Sequence, residues 1–132
     1  MSDSVFTKII RGEIPSHKIY EDDKTFAFLD INPTQPGHTL VIPKKQIDHL
    51  WDLPDDDYQA LMATTKKVAN RLREVLGAKR VGVKVVGDEV PHAHIHLIPF
   101  NTTEEYFQRR PKEPDPNHEE LAEMAKKLSF SN

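Results

Sequence analysis

Hydrophobic and polar positions along this chain alternate between two periods. Short apolar or alternating runs predict strands at Lys18-Ile19-Tyr20, Thr25 to Leu29, Thr39 to Ile42, Val81 to Val86 and His92 to Ile98. Glu21 to Lys24 reads as the turn of a hairpin joining the first two. Asn32-Pro33-Thr34-Gln35-Pro36-Gly37 carries strong turn chemistry, Pro43 closes the third strand, and Gly87-Asp88-Glu89 turns into the histidine strand. Behind Pro54, Leu61, Val68, Leu72, Val75 and Leu76 recur at helical spacing, with Thr65 filling a gap on that face. This is the longest expected helix. Asp55, Asp56 and Asp57 favour the positive end of its dipole, and Gly77 is its stop. Its charged face, with Arg71 and Arg73, is expected to be only solvated. Phe6 to Ile10 predicts a short helix ended near Gly12 and Pro15, and Glu119 to Leu128 a final one with Leu121, Met124 and Leu128 inward. Asn101 to Asn117 is polar, holds Arg109, Arg110, Pro111, Pro114 and Pro116, and is expected to wander over the surface. Strands interrupted by one long helix predict an α+β fold: a mainly antiparallel five-stranded sheet with one long helix and a C-terminal helix.

Composition narrows the field. The 132 residues suit one domain, 1–132, with a core over 4–100 and a C-terminal extension over 101–132. Apolar residues make up 37% and charged ones 30%, ordinary for a globular protein in water. No apolar run approaches a membrane span, and Met1-Ser2-Asp3-Ser4 lacks the features of a secretory signal. Cysteine is absent, which removes disulfides and thiol catalysis and fits a cytoplasmic location. A net charge of −3 disfavours a nucleic-acid backbone as partner, while leaving room for a local pocket that takes a small phosphate ligand.

The most informative stretch is His92-Ala93-His94-Ile95-His96. Alternate residues of a strand share a face, so the three rings are expected in one row, about 6.7 Å apart, with Ala93, Ile95 and Leu97 turned into the core. Imidazole titrates nearest physiological pH and serves as nucleophile, acid, base or metal ligand. A solvated strand face is the plain reading. For phosphate chemistry, a neutral imidazole held in one tautomer attacks phosphorus. His94 is best placed, with His92 and His96 donating hydrogen bonds to phosphoryl oxygens or to the leaving group. For a metal, two alternate histidines need a third ligand from elsewhere. The outer pair stands roughly 13 Å apart at the backbone, too far to converge on one tetrahedral ion with bonds of about 2.0 Å.

His92-Ala93-His94-Ile95-His96-Leu97-Ile98 also resembles the signature of the histidine triad (HIT) superfamily. Phe6 to Pro15, Phe28-Leu29-Asp30-Ile31-Asn32-Pro33 and Pro36 to Lys45 are similar, in order, to blocks of its Hint-like branch. The resemblance covers most of residues 4–100. It implies a small α+β domain that pairs into a homodimer and binds purine nucleotides without a cofactor. By position it makes His94 the nucleophile at the α-phosphorus, flanked by His92 and His96. Asp30 is then the acid that holds the ribose hydroxyls, and Phe28, Leu29 and Ile31 line the base pocket. The implied activity is hydrolysis or transfer on nucleoside 5′-phosphoramidates or (aminoacyl-)adenylates through a nucleotidyl-histidine. The alternatives are a dinucleoside polyphosphate hydrolase, a non-catalytic nucleotide-binding protein and a metal-binding protein.

Three departures from the family pattern stand out. Gln46 occupies a position where the family often has a fourth histidine, and His49 follows three residues on. Gly87-Asp88-Glu89-Val90 replaces a Gly-Gln-Ser-Val block, which puts Glu89 where a serine is usual near the phosphate. The Gly87 and Val90 amides remain available to a ligand. The asparagine expected near Val83 and Lys84 is missing.

Overall fold

The computed structural model describes residues 2–108 and 115–130. Arg109, Arg110, Pro111 and Pro114 therefore lie outside the described residues. The element order is α1 (Val5–Ile10), β1 (Lys18–Glu21), β2 (Thr25–Leu29), β3 (Thr39–Pro43), a 3-10 turn (Leu50–Asp52), α2 (Asp55–Leu76), β4 (Arg80–Lys84), β5 (Ile95–Phe100), α3 (Thr103–Tyr106) and α4 (His118–Leu128). The five strands form one sheet in the order β1-β2-β3-β5-β4, every neighbouring pair antiparallel. This is the α+β architecture that the strand and helix periods predict.

Strand pleating divides the core in two. On β2, Ala27 and Leu29 face the long helix, while Phe26 and Phe28 face the other side. On β3, Val41 joins the first group, and Leu40 and Ile42 the second. Both strands are buried along their whole length because both faces are covered. On one face α2 and α4 pack Leu61, Val68, Leu72, Leu121 and Leu128 against Val41, Ile95 and Leu97. Each such fully buried side chain contributes about 1.5–3 kcal/mol relative to exposure. On the other face α1 lays Phe6 over Phe28 and Leu40. This second face carries the site.

Several local expectations are corrected. The fourth strand stops at Lys84 rather than Val86, and the histidine strand is regular only from Ile95, not His92. Within 101–117, Thr103–Tyr106 is helical: Thr102 accepts from the Glu105 amide and the Glu105 side chain answers at the Thr102 amide, a capping box. Arg71 is not merely solvated. Its guanidinium donates to the carbonyls of Leu128 and Ser129, both at 3.2 Å, and caps the end of α4. Gly77 ends α2 at φ 65°, a left-handed conformation that costs glycine little. No helix among the described residues is long and apolar enough to cross a membrane.

Candidate active site

Register builds the floor of the site. Phe28 pairs with Leu40, Leu40 with His96, and His96 with Lys84, so one cross-strand row runs over β2, β3, β5 and β4. All four line a cavity of about 550 Å³, together with Phe6 and Ile9 of α1, His94, and the turn 86–90. Phe28, Leu29, Asp30, Ile31, Gly87, Glu89 and Val90, singled out from the sequence, also lie on its wall. Ile31 is 44% exposed, whereas Phe28 is buried and packs edge-on to Phe6 with ring centroids 5.5 Å apart.

Hydrogen bonds fix the state of each imidazole. A carbonyl can only accept, so the His94 Nδ1 within 2.8 Å of the His92 carbonyl oxygen carries the proton. In the neutral ring, the His94 Nε2 is therefore the bare lone pair. The ring is 6% exposed, lines the cavity, and packs edge-on to Phe6 at 5.0 Å.

His96 is set by a relay. The Thr34 amide donates to His38 Nδ1 at 3.0 Å, so the His38 proton sits on Nε2. That proton is donated to His96 Nδ1, also at 3.0 Å, and the His96 proton is left on Nε2. His38 is 1% exposed. Burial, then repulsion from His38 and from His94, pulls the His96 pKa down to about 4, so the ring is neutral near pH 7. The site thus holds a lone pair on His94 beside an N–H on His96, with ring centroids 5.1 Å apart.

His92 departs from the expected row. It is fully buried and is not among the residues lining the cavity. Its Nε2–H donates to the Pro43 carbonyl at 2.8 Å, and its Nδ1 accepts from the Ser4 hydroxyl at 2.8 Å. Both nitrogens are committed, so the ring anchors the N-terminus instead of donating to a phosphoryl oxygen. Burial is the main cause of its lowered pKa. The row breaks because this segment is not yet sheet: the Ala93 amide donates to Ile47 rather than to a neighbouring strand.

Gln46 completes that anchor. Its Oε1 accepts from the Ser4 amide at 2.7 Å and the Thr7 hydroxyl at 2.6 Å, while its Nε2 donates to the Ser2 carbonyl at 3.0 Å. The glutamine thus ties α1, and with it Phe6, to the site. His49 is largely exposed and is not among the cavity-lining residues.

Sequence reasoning assigned no role to His38, Ser4 or Phe6. His38 stood in a motif block next to Gly37, but nothing local says that it meets a residue 58 positions away.

One group among the described residues has metal-ligand proximity: donor atoms of Asp30, His38 and His96 lie within 4.8 Å of one another. The hydrogen-bond pattern speaks against an ion there. A metal on His38 Nε2 moves that ring's proton to Nδ1, against the Thr34 N–H. Asp30 Oδ1 accepts from the Asn32 amide at 2.8 Å, and its Oδ2 lies 3.6 Å from His38 Nε2.

Comparison with known proteins places this geometry. A family model described as the HIT domain matches residues 11–103. The chain is 35% identical to an uncharacterized HIT-like protein of Borreliella burgdorferi over 138 aligned residues, covering 99% of each. It is 41% identical to adenosine 5′-monophosphoramidase HNT1 of Saccharomyces cerevisiae over 96 residues, 72% of this chain and 61% of that protein. Among solved structures, a HIT-like protein of Bartonella henselae involved in cell-cycle regulation matches with a TM-score of 0.81 at 35% identity, covering 96% of this chain and 94% of that one.

Proposed function

The chain belongs to the HIT domain family, and on that footing we propose that it is a hydrolase of nucleotide conjugates. Its substrates are purine nucleoside 5′-phosphoramidates or (aminoacyl-)adenylates, cleaved at the α-phosphorus through a nucleotidyl-His94. The observation that carries this reading is the His94 tautomer: Nδ1–H held by the His92 carbonyl at 2.8 Å, Nε2 bare in the cavity. The name of the yeast relative, an adenosine 5′-monophosphoramidase, supports the same substrate class.

In the proposed reaction, the base occupies the apolar end of the cavity between Phe6, Ile9, Phe28 and Ile31, and Asp30 accepts from the ribose hydroxyls. His94 Nε2 attacks phosphorus; the new P–N bond forms as the bond to the leaving amine breaks. His96 Nε2–H donates a hydrogen bond to the leaving nitrogen, which departs as the free amine on taking a proton from water, and the bond from His38 keeps the His96 proton on Nε2. Water then attacks phosphorus, the P–His94 bond breaks, and the proton of the attacking water is released to solvent, offsetting the one taken by the amine. Nucleoside monophosphate and free amine are the products. Splitting one displacement into two lowers each barrier.

A homodimer is part of the proposal. β4 is a sheet edge, and Val83, Val85 and Val86 on and after it are 52%, 41% and 64% exposed. An exposed apolar edge of this kind favours pairing with a second copy.

The test is turnover of a fluorogenic adenosine phosphoramidate, with intact-mass detection of an adenylyl adduct after rapid quenching. Wild type turns over and accumulates the adduct; His94→Ala does neither. Equal turnover by both proteins refutes the assignment.

A further inference from the structure

The proposed reaction gives no task to one charged group on the cavity wall. Lys84 is the last residue of β4 and pairs directly with His96 of β5. Directly opposed residues of an antiparallel pair send their side chains from the same face of the sheet, with Cβ atoms about 4.5–5.5 Å apart. Lys84 therefore projects from the face that carries the His96 ring, and both line the cavity. Its charge is felt at that ring. After burial, His38 and His94, and against Asp30, Lys84 also holds the His96 pKa down. Among the described residues Lys84 forms neither an ion pair nor a side-chain hydrogen bond, and it is exposed. The ammonium is thus neither neutralised by a partner nor desolvated.

The other titratable groups on the described wall are the imidazoles of His94 and His96 and the carboxylates of Asp30, Asp88 and Glu89. His96 is neutral near pH 7. His94 has to be neutral to attack phosphorus. Lys84 is therefore the single permanent cation among the described lining residues, on a wall that also carries three carboxylates. A nucleotide brings an anionic α-phosphate to His94 and His96. The two rings offer it a lone pair and an N–H but no charge, and without Lys84 the wall repels it.

We propose that Lys84 is a phosphate-binding residue of this site: its ammonium pairs with the non-bridging oxygens of the α-phosphate and makes the cavity select an anionic nucleotide over an uncharged nucleoside. This rests on the nucleotide-hydrolase reading and adds a specificity-determining residue to it. An ammonium on a flexible four-carbon stem meets such oxygens as a point charge from several directions. It stays with the phosphate through both displacements, so no bond or proton changes at Lys84.

Coulomb's law sets the size of the effect. One pair of unit charges about 4 Å apart in bulk water is worth roughly fivefold in an equilibrium. A phosphate monoester carries about 1.5 to 2 negative charges at pH 7, so the contribution of Lys84 to binding one is about tenfold, shrinking as salt screens it.

The experiment measures binding of AMP and of adenosine by calorimetry to wild type, Lys84→Met and Lys84→Arg, each at low and high salt. The readout is the ratio of the two affinities, because it cancels any general loss of binding. Lys84→Met is expected to narrow the preference for AMP about tenfold at low salt, with adenosine affinity unchanged. Lys84→Arg should keep the ratio within about twofold of wild type, since it keeps the charge. The difference between wild type and Lys84→Met should fade at 1 M salt, where the screening length is about 3 Å. A wild type that binds AMP no tighter than adenosine, or a Lys84→Met ratio equal to that of wild type, overturns the role of Lys84 and leaves the hydrolase reading standing. A wild type that binds neither ligand overturns both.

Discussion

Replacing His38 with Leu tests whether the Thr34–His38–His96 chain orients His96 or does more. Leucine approximates the ring's volume and removes both nitrogens. Two hydrogen bonds of 3.0 Å vanish, leaving the Thr34 amide and His96 Nδ1 without those partners. His38 is 1% exposed, so water replaces it poorly. Leaving a buried polar group unsatisfied costs about 1–3 kcal/mol, and here there are two, one only part-buried; the expected loss of stability is about 2–4 kcal/mol. The effect on rate separates two roles. If His38 only selects the His96 tautomer, the penalty is bounded by one neutral hydrogen bond, about 1 kcal/mol, and kcat falls by roughly tenfold or less. If it must resupply a proton, the loss rises to about 10²–10⁴-fold. With the Thr34 N–H on Nδ1, a neutral His38 has only its Nε2 proton and nothing to replace it, so the orienting role is expected, with the smaller fall in kcat at nearly unchanged KM. Nitrogen-15 shifts of the His96 ring give the tautomer directly: Nε2–H in wild type, a mixture in the variant. A variant with wild-type kcat and a wild-type His96 tautomer refutes the chain of donors altogether.

Three further outcomes follow from the fold. Gly37→Ala places a Cβ 2.6 Å from Leu76 Cδ1 and 3.3 Å from Pro99 Cγ at φ 91°. Backbone strain and overpacking together should cost about 2–5 kcal/mol in urea denaturation, and a loss under about 1 kcal/mol would contradict the packing described. Leu128→Ala empties a fully buried position where α4 meets the core, so about 2–5 kcal/mol should be lost; an unchanged urea midpoint would mean that α4 is not docked. The Lys45 ammonium, 2.9 Å from Asp57, holds that carboxyl below its usual range, with burial opposing and Lys24 assisting. A depressed folded pKa stabilises the protein above the unfolded value, about 3.9, and the benefit disappears as pH falls through the folded value. Asp57→Asn should therefore be less stable than wild type at pH 7, with the two stability curves converging below about pH 4; parallel curves into acid would refute the pairing.

The sequence alone determined the elements whose signals are local. Period-2 and period-3.6 patterns located the strands and both longer helices, and Gly77 marked the end of α2, because side-chain direction follows backbone geometry within a few residues. The histidine spacing pointed to a stretch of chain from which His94 and His96 line one cavity. Tertiary structure decided what each imidazole is. Tautomer depends on which atom lies across a gap from each nitrogen: the Pro43 carbonyl and Ser4 for His92, its own neighbour's carbonyl for His94, and His38 for His96. Those partners are up to 88 positions distant in sequence. Gln46 read as a missing histidine until the fold set it against Ser4 and Thr7. Hydrogen bonds are short-ranged in space and indifferent to separation along the chain, so the sequence named the chemical groups and only folding assigned their protons.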